Sequence, residues 1–303
     1  MTLGITQDRP LAIVGCGTIG ASWAAYFLSR EIPVVVYNHG DLPHRMVFDR
    51  IAAHFPSLRS PVHEPHICND LEEAVSDAPL ILECAPEDMA LKRHLIAEIQ
   101  GYSIPEAIIA SNSSSLTHSD ITVGVPSPGN VVIAHPYNPP HLVPLVEIYG
   151  IDAATCETVK AFYLQHGKSP VVLNKEVVGH LANRLSSALW REALYLLQEN
   201  VASVEDIDRA MTDGPGLRWA INGPFLTYHL GGGSGGIQQY LANLGDSQVY
   251  RWNSLGTPEV NDALIASIIE GVEAAYGGES LDEHSRRRDR LLTSLLQTRR
   301  PVD

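Results

Sequence analysis

The stretch Leu11-Ala12-Ile13-Val14-Gly15-Cys16-Gly17-Thr18-Ile19-Gly20 runs from four apolar residues into a turn built on three glycines. Apolar residues at helical spacing follow from Ala21 to Ser29, and a β-branched run, Ile32 to Tyr37, follows those. Strand, glycine turn, helix and strand in that order describe a dinucleotide-binding βαβ unit. Each glycine has its own task there. Gly15 permits the tight bend, Gly17 lets backbone approach a pyrophosphate, and Gly20 lets helix and strand pack closely. Thr18 and Ile19 open the helix, whose positive end then faces the phosphates. A glycine fingerprint alone is a weak signal, and its place between strand and helix strengthens it.

Further apolar runs at Pro79 to Leu82, Ala107 to Ala110 and Val131 to Ala134 alternate with helical patterns such as Met89 to Ile99. Leu142 to Ile148 and Pro170 to Leu173 read as two more strands, with a helix from Ala153 to Gln165 between them. Near-continuous apolar strands alternating with helices predict an α/β domain of Rossmann type, its mostly parallel sheet covered on both faces. After Gly179 no strand follows. His180 to Glu199, Val204 to Met211, Phe225 to Leu244, Pro258 to Tyr276 and Leu281 to Gln297 all read as helices, and the glycines from Gly231 to Gly236 read as a loop or turn. The expected organisation is therefore a nucleotide domain over 1–176 and an all-helical C-terminal domain over 177–303. The apolar residues Leu185, Leu189, Leu194, Ile265 and Ile269 exceed what one small bundle needs, so this second domain is expected to form a homodimer.

At 303 residues, 45% apolar and 18% charged, the chain reads as a soluble globular protein. No apolar run approaches the ~18 residues of a membrane span. Met1 to Pro10 is polar, so no secretory leader is expected and the cytoplasm is the expected location. Thirty-five acidic against 21 basic residues leave a net charge of −14, which argues against nucleic acid and anionic membranes as partners. The four cysteines form no CxxC pair and show no zinc spacing, so reduced structural thiols and no metal site are expected. His63-Glu64-Pro65-His66 resembles a metal motif in composition only. Pro65 prevents the helix that would align both imidazoles, and the segment reads as loop.

Chemistry enters with Ala134-His135-Pro136-Tyr137-Asn138-Pro139-Pro140 and with Glu147, twelve residues after the histidine. A histidine at the end of a buried strand, stiffened by prolines and paired with a carboxylate, suits a general base for alcohol oxidation by a nicotinamide. One position departs from the dinucleotide pattern. The second strand ends in Asn38, where Asp or Glu normally bonds the ribose hydroxyls. A neutral amide still bonds a hydroxyl but no longer repels a 2′-phosphate. NAD is the expected cofactor and NADP the alternative, with His39 or Arg45 as phosphate contacts.

Two more segments, Ser111-Asn112-Ser113-Ser114-Ser115-Leu116 and Gly179-His180-Leu181-Ala182-Asn183-Arg184-Leu185, complete a specific likeness. Over nearly its whole length the chain resembles the L-3-hydroxyacyl-CoA dehydrogenase family. Within it the chain is most similar to the branch of short 3-hydroxy-acid enzymes: L-carnitine dehydrogenases, L-gulonate 3-dehydrogenases and lambda-crystallins. Glu83 to Lys92 resembles the family's segment near the nicotinamide, and Arg218 to Tyr228 looks most like the carnitine enzymes. The resemblance implies that His135 takes the hydroxyl proton and that Glu147 fixes its tautomer. It implies that Ser114 and Asn183 bond the reacting oxygen, and that Glu87 and Lys92 lie near the nicotinamide.

The resemblance also bears on the substrate. Hydroxyacyl-CoA members carry a longer, lysine-bearing arm between the second strand and the Glu83 segment, whereas residues 39–82 here contain no lysine. A small polar 3-hydroxy acid fits better, carnitine being the leading candidate, with a CoA thioester as the alternative. A crystallin-like protein without turnover is a third possibility, and the intact His135, Glu147, Ser114 and Asn183 set argues against it. Arg184 and Arg218 are candidates to grip a carboxylate, although salt bridges explain them equally well. Trp190, Trp219, Phe225, Tyr228 and Tyr137 are candidates to face a quaternary ammonium group, although helix-core packing is the expected reading of each.

Overall fold

A computed structural model describes residues 3–40, 42–55 and 64–299, and the chain divides into two compact units, Met1–Arg184 and Leu185–Asp303. His63, Arg59 and the C-terminal residues from Arg300 onward lie outside the described residues.

The first unit is built on eight strands: β1 (Leu11–Val14), β2 (Val34–Tyr37), β3 (His66–Cys68), β4 (Leu80–Glu83), β5 (Ile108–Ser111), β6 (Val131–Pro136), β7 (Leu145–Tyr149) and β8 (Ser169–Val172). They form one sheet in the order β3-β2-β1-β4-β5-β6-β7-β8. Every pairing is parallel except β6 with β7. The helices are α1 (Thr18–Leu28), α2 (His44–Ala52), α3 (Leu71–Val75), α4 (Met89–Tyr102), α5 (His118–Ile121) and α6 (Ala153–Gln165). Successive strand residues point to opposite faces, and the core follows that alternation. Leu11, Ile13, Leu80 and Leu82 pack with α1 and α6 on one face, while Ala12, Val14 and Ile81 pack with α3 and α4 on the other. This is the Rossmann-type α/β architecture that the apolar runs predict.

The strand β3 departs from expectation. His66 opens an edge strand where the proline-containing segment reads as loop. Three residues are too few to show a period of two, and Pro65 just ahead of the strand removes no ladder donor from within it.

Strand order reverses between β1 and β4, so the chain leaves these neighbours toward opposite ends of the sheet and opens a crevice beyond their carboxyl ends. Two glycines make the turn there compact. Gly15 has φ +99°, and a Cβ on it would lie 3.0 Å from the Cys84 carbonyl oxygen. A Cβ on Gly20 would lie 2.0 Å from the Gly15 oxygen.

The second unit is helical, as the sequence predicts. It takes most of α7 (Ala182–Gln198), then α8 (Val204–Thr212), α9 (Pro215–Trp219), α10 (Pro224–Gly231), α11 (Gly236–Ser254), α12 (Asp262–Tyr276) and α13 (Leu281–Arg299). The pattern from Phe225 to Leu244 is two helices, because Gly233 and Gly236 take positive φ and turn the chain between them. Among its described large apolar side chains only Tyr240 and Leu264 are buried, while Leu185, Trp190, Phe225 and Ile269 are exposed. Helix-core packing of Trp190 and Phe225 is thus not what the chain adopts. Among the described residues no helix is long and apolar enough to cross a membrane.

Gly20→Ala should cost about 1 to 3 kcal/mol of overpacking and lower Tm by several degrees in a thermal melt. An unchanged Tm would show that the turn relaxes freely.

Candidate active site

A cavity of about 1110 Å³ occupies the crevice, lined by Gly15, Gly17, Thr18 and Ile19 from the turn and by Asn38 and His39 from the end of β2. Gly20 lies beneath it, packed on Gly15. Gly17 is the informative glycine. Its φ is −72°, which any residue adopts, and a Cβ there would meet nothing within 4 Å. Neither backbone strain nor packing requires glycine at 17, and its bare backbone leaves room for an incoming group. Helix α1 has no side-chain cap and no acidic residue in its first turn, so its positive end stays open toward the cavity. These residues fit a dinucleotide.

On the same cavity wall, Asn38 donates its amide to the Leu42 carbonyl at 3.0 Å, which leaves its Oδ1 as an acceptor. His39 lines the cavity beside the Tyr37 hydroxyl. Arg45 does not. It is exposed on α2 and pairs with Asp49 one turn on, at 3.1 Å. Arg50 lines the cavity instead, 3.4 Å from the Cys16 carbonyl oxygen. Asp70, Glu72 and Glu98 also line it.

Glu87 and Lys92 organise the serine-rich loop. Glu87 Oε1 accepts from the Ser113 hydroxyl (2.7 Å) and from the amides of Ser114 (3.0 Å), Ser115 (2.8 Å) and Leu116 (3.1 Å). Burial pushes its carboxyl up, but these donors and Lys92 outweigh burial and hold it below the usual carboxylate range. Lys92 is buried and does not line the cavity. Its ammonium donates to both Glu83 oxygens (2.8 and 3.0 Å) and to the Ala85 carbonyl (3.1 Å), while Ser111 donates to Glu83 at 2.5 Å. A buried cation and carboxylate with every donor used stiffen the turn after β4.

The antiparallel pairing of β6 and β7 sets His135 directly opposite Glu147. His135 Nδ1 lies 3.0 Å from Glu147 Oε2, and both side chains are buried. A carboxylate only accepts, so Nδ1 carries the hydrogen and Nε2 is left with the lone pair. The other carboxylate oxygen accepts from the backbone amides of Leu181 (2.7 Å) and Ala182 (2.9 Å). Burial raises the Glu147 pKa, but the His135 hydrogen bond and the two amides more than offset it, and the group stays ionised below its usual range. Asn183, in the first turn of α7, donates its amide to the Ser114 carbonyl at 3.1 Å. Among the described residues nothing hydrogen-bonds the Ser114 hydroxyl or His135 Nε2. His180 completes the cluster, its ring centroid 5.0 Å from that of His135.

Helix α1 ties both loops together. Trp23 Nε1 donates to Asn112 at 2.6 Å, and the Ser22 hydroxyl lies 2.9 Å from His141 Nδ1. Sequence reasoning missed Trp23, Ser22, His180 and Arg50. For Arg50 a signal existed: it lies on one helical pattern with Arg45, at a spacing that turns it to another side.

The family model described as "3-hydroxyacyl-CoA dehydrogenase, NAD binding domain" matches residues 10–177, and the corresponding "C-terminal domain" matches residues 179–262. The chain belongs to the 3-hydroxyacyl-CoA dehydrogenase family. It is 38% identical over 299 residues to L-carnitine dehydrogenase of Streptomyces griseus, covering 95% of this chain and 89% of the relative. L-carnitine dehydrogenase of Bacillus cereus is 38% identical over 305 residues, covering 97% and 94%. The solved structure of 5-formyl-3-hydroxy-2-methylpyridine 4-carboxylic acid 5-dehydrogenase, an NAD+-dependent dismutase, shares the fold. Its TM-score is 0.83 at 23% identity, with 97% of this chain and 99% of that one covered. The chain is accordingly an NAD-dependent oxidoreductase acting on a CH–OH group.

The lowered Glu147 pKa has a stability consequence. A depressed carboxyl contributes fully above the unfolded value of about 4.3 and loses that contribution as pH falls through the lower folded value. Glu147→Gln should lower Tm at pH 7 and also shrink the further drop in Tm between about pH 5 and pH 3. An acid dependence identical to that of the parent would show that Glu147 is not ionised in the fold.

Proposed function

We propose that this enzyme oxidises the 3-hydroxyl carbon of a small free L-3-hydroxy acid, with His135 as general base, and that carnitine is the leading substrate. The observation that carries the reading is the buried Glu147 carboxylate on His135 Nδ1, which leaves the opposite ring nitrogen to accept a proton. The nicotinamide, when bound, supplies the hydride acceptor. His135 Nε2 takes the hydroxyl proton, and Glu147 stabilises the imidazolium that results. The Ser114 hydroxyl and the remaining N–H of Asn183 hold the reacting oxygen, polarising the ketone when the enzyme runs in reverse.

NAD is favoured over NADP. Asn38 does not repel a 2′-phosphate, but Asp70, Glu72 and Glu98 all line the cavity against the single arginine Arg50 among its described lining residues. Two features favour a free acid over a thioester: the lysine-free segment 39–82 and the net charge of −14. Trp219 on α9 and Phe225 and Tyr228 on α10 are more than one third exposed, and such open faces suit a quaternary ammonium group. The exposed apolar residues of the helical unit support a homodimer formed through it.

Three sets of variants test these assignments. His135→Ala should lower kcat on L-carnitine by about 10²- to 10⁴-fold while the Kd for NAD stays within about twofold. Equal loss of cofactor binding would make His135 structural. Asn38→Asp should sharpen the preference for NAD over NADP, and an unchanged preference would show that position 38 does not face the ribose. Trp219→Ala and Phe225→Ala should raise KM for carnitine by roughly 5- to 30-fold, yet leave KM for 3-hydroxybutyrate unchanged. Equal effects on both acids would remove these rings from cation recognition.

A further inference from the structure

A second histidine lies against the base, and the proton transfer proposed above gives it no task. His180 is 2% exposed, and its ring plane is tilted by 38° to that of His135. Its backbone is left-handed, φ +50°, directly after Gly179 at φ +75°. A residue with a Cβ is strained in that region, and such strain persists only where the surroundings hold it. The turn it makes brings the Leu181 and Ala182 amides to Glu147. The ring reaches the other way: Nε2 lies 3.0 Å from the Ser113 carbonyl oxygen. A carbonyl only accepts, so Nε2 carries the hydrogen, and in the neutral ring Nδ1 keeps a lone pair.

We propose that His180 is a positioning residue that stays neutral in the working enzyme, couples the serine-rich loop to the general base, and disables the site when it takes a second proton. The inference rests on the assignment of His135 as base. Ser113 is followed by Ser114, whose carbonyl takes the Asn183 amide, so a pinned Ser113 sets the oxygen-binding pair as well. The charged or titratable groups that face His180 are His135 from β6, Glu147 from β7 and Glu87 from the segment before α4. Burial pushes its pKa down, the Ser113 carbonyl pulls it up, His135 lowers it and the two carboxylates raise it, with a net fall below the usual histidine value. A neutral ring beside His135 tolerates the imidazolium formed in the reaction. A second imidazolium at that distance opposes it.

Two substitutions separate these roles. His180→Phe keeps a ring but has no donor, and His180→Gln keeps an N–H donor but does not titrate. In assays with L-carnitine and NAD, carried from about pH 9 down the acid side as far as the enzyme stays folded, log kcat/KM of the parent should fall with a slope that steepens from one toward two. His180→Phe should lose about tenfold or more in kcat with the Kd for NAD unchanged, and His180→Gln should recover most of that loss with an acid slope of one. A parent slope that never exceeds one, a His180→Gln slope as steep as the parent's, or full kcat in His180→Phe would overturn the proposal. If His180→Phe does not fold, His180→Gln and a spectrum without turnover decide it. Long-range ¹⁵N–¹H NMR of the NAD complex, with the ring assigned by its loss in His180→Gln, should show a neutral Nε2–H imidazole at pH 7. A cationic or Nδ1–H ring contradicts the proposal whatever the substrate. A neutral Nε2–H ring together with no turnover of carnitine supports it and moves the failure to the substrate assignment.

Discussion

One buried carboxylate, Glu147, is the interaction on which the arrangement of the site depends. It takes one donor from a side chain across the sheet, His135, and two from the backbone of the segment leading into α7. An ionised carboxylate out of water costs several kcal/mol unless its donors are in place. The antiparallel register of β6 and β7, the tautomer of His135 and the turn at Gly179 and His180 are therefore held by a common requirement. Displacing any one of them leaves a buried charge short of a partner.

The cofactor helix provides a second level of organisation. Trp23 and Ser22 of α1 hold Asn112 and His141, which lie in the segments that follow β5 and β6. Lys168 sits behind the same helix, its ammonium 3.8 Å from the Tyr26 ring centroid and hydrogen-bonded to the carbonyls of Pro140 and Val143. The helix whose positive end faces the cavity is thus the one that carries the supports of the segment after His135 and of the serine-rich loop. Positioning by rigid elements is what hydride and proton transfer between fixed partners demand.

Much of this was legible in the residues, for physical reasons. Strand β1 and the leading residues of β4, β5 and β6 are apolar runs because both faces of the sheet are covered, and α6 has the bounds that its pattern predicts. His135 and Glu147 stand out because histidine and carboxylate are rare in such buried runs. The rest depends on pairing that local sequence does not encode. The edge strand at His66 is too short to show a period, and the antiparallel turn of β7 is a property of the sheet. The left-handed backbone of His180 is imposed by contacts on either side of it. Lys92 reads as a site residue, but its partner Glu83, nine residues earlier, shows only in the fold how its charge is used.

The decisive measurement of substrate class compares kcat/KM for L-carnitine and for 3-hydroxybutyryl-CoA on the same purified enzyme with NAD, followed by NADH absorbance. Specificity for a free acid requires activity on the acid at least ~100-fold above that on the thioester, a gap of about 2.7 kcal/mol in transition-state binding. A preference for the thioester would contradict it, because residues 39–82 would then recognise a CoA group without a single lysine.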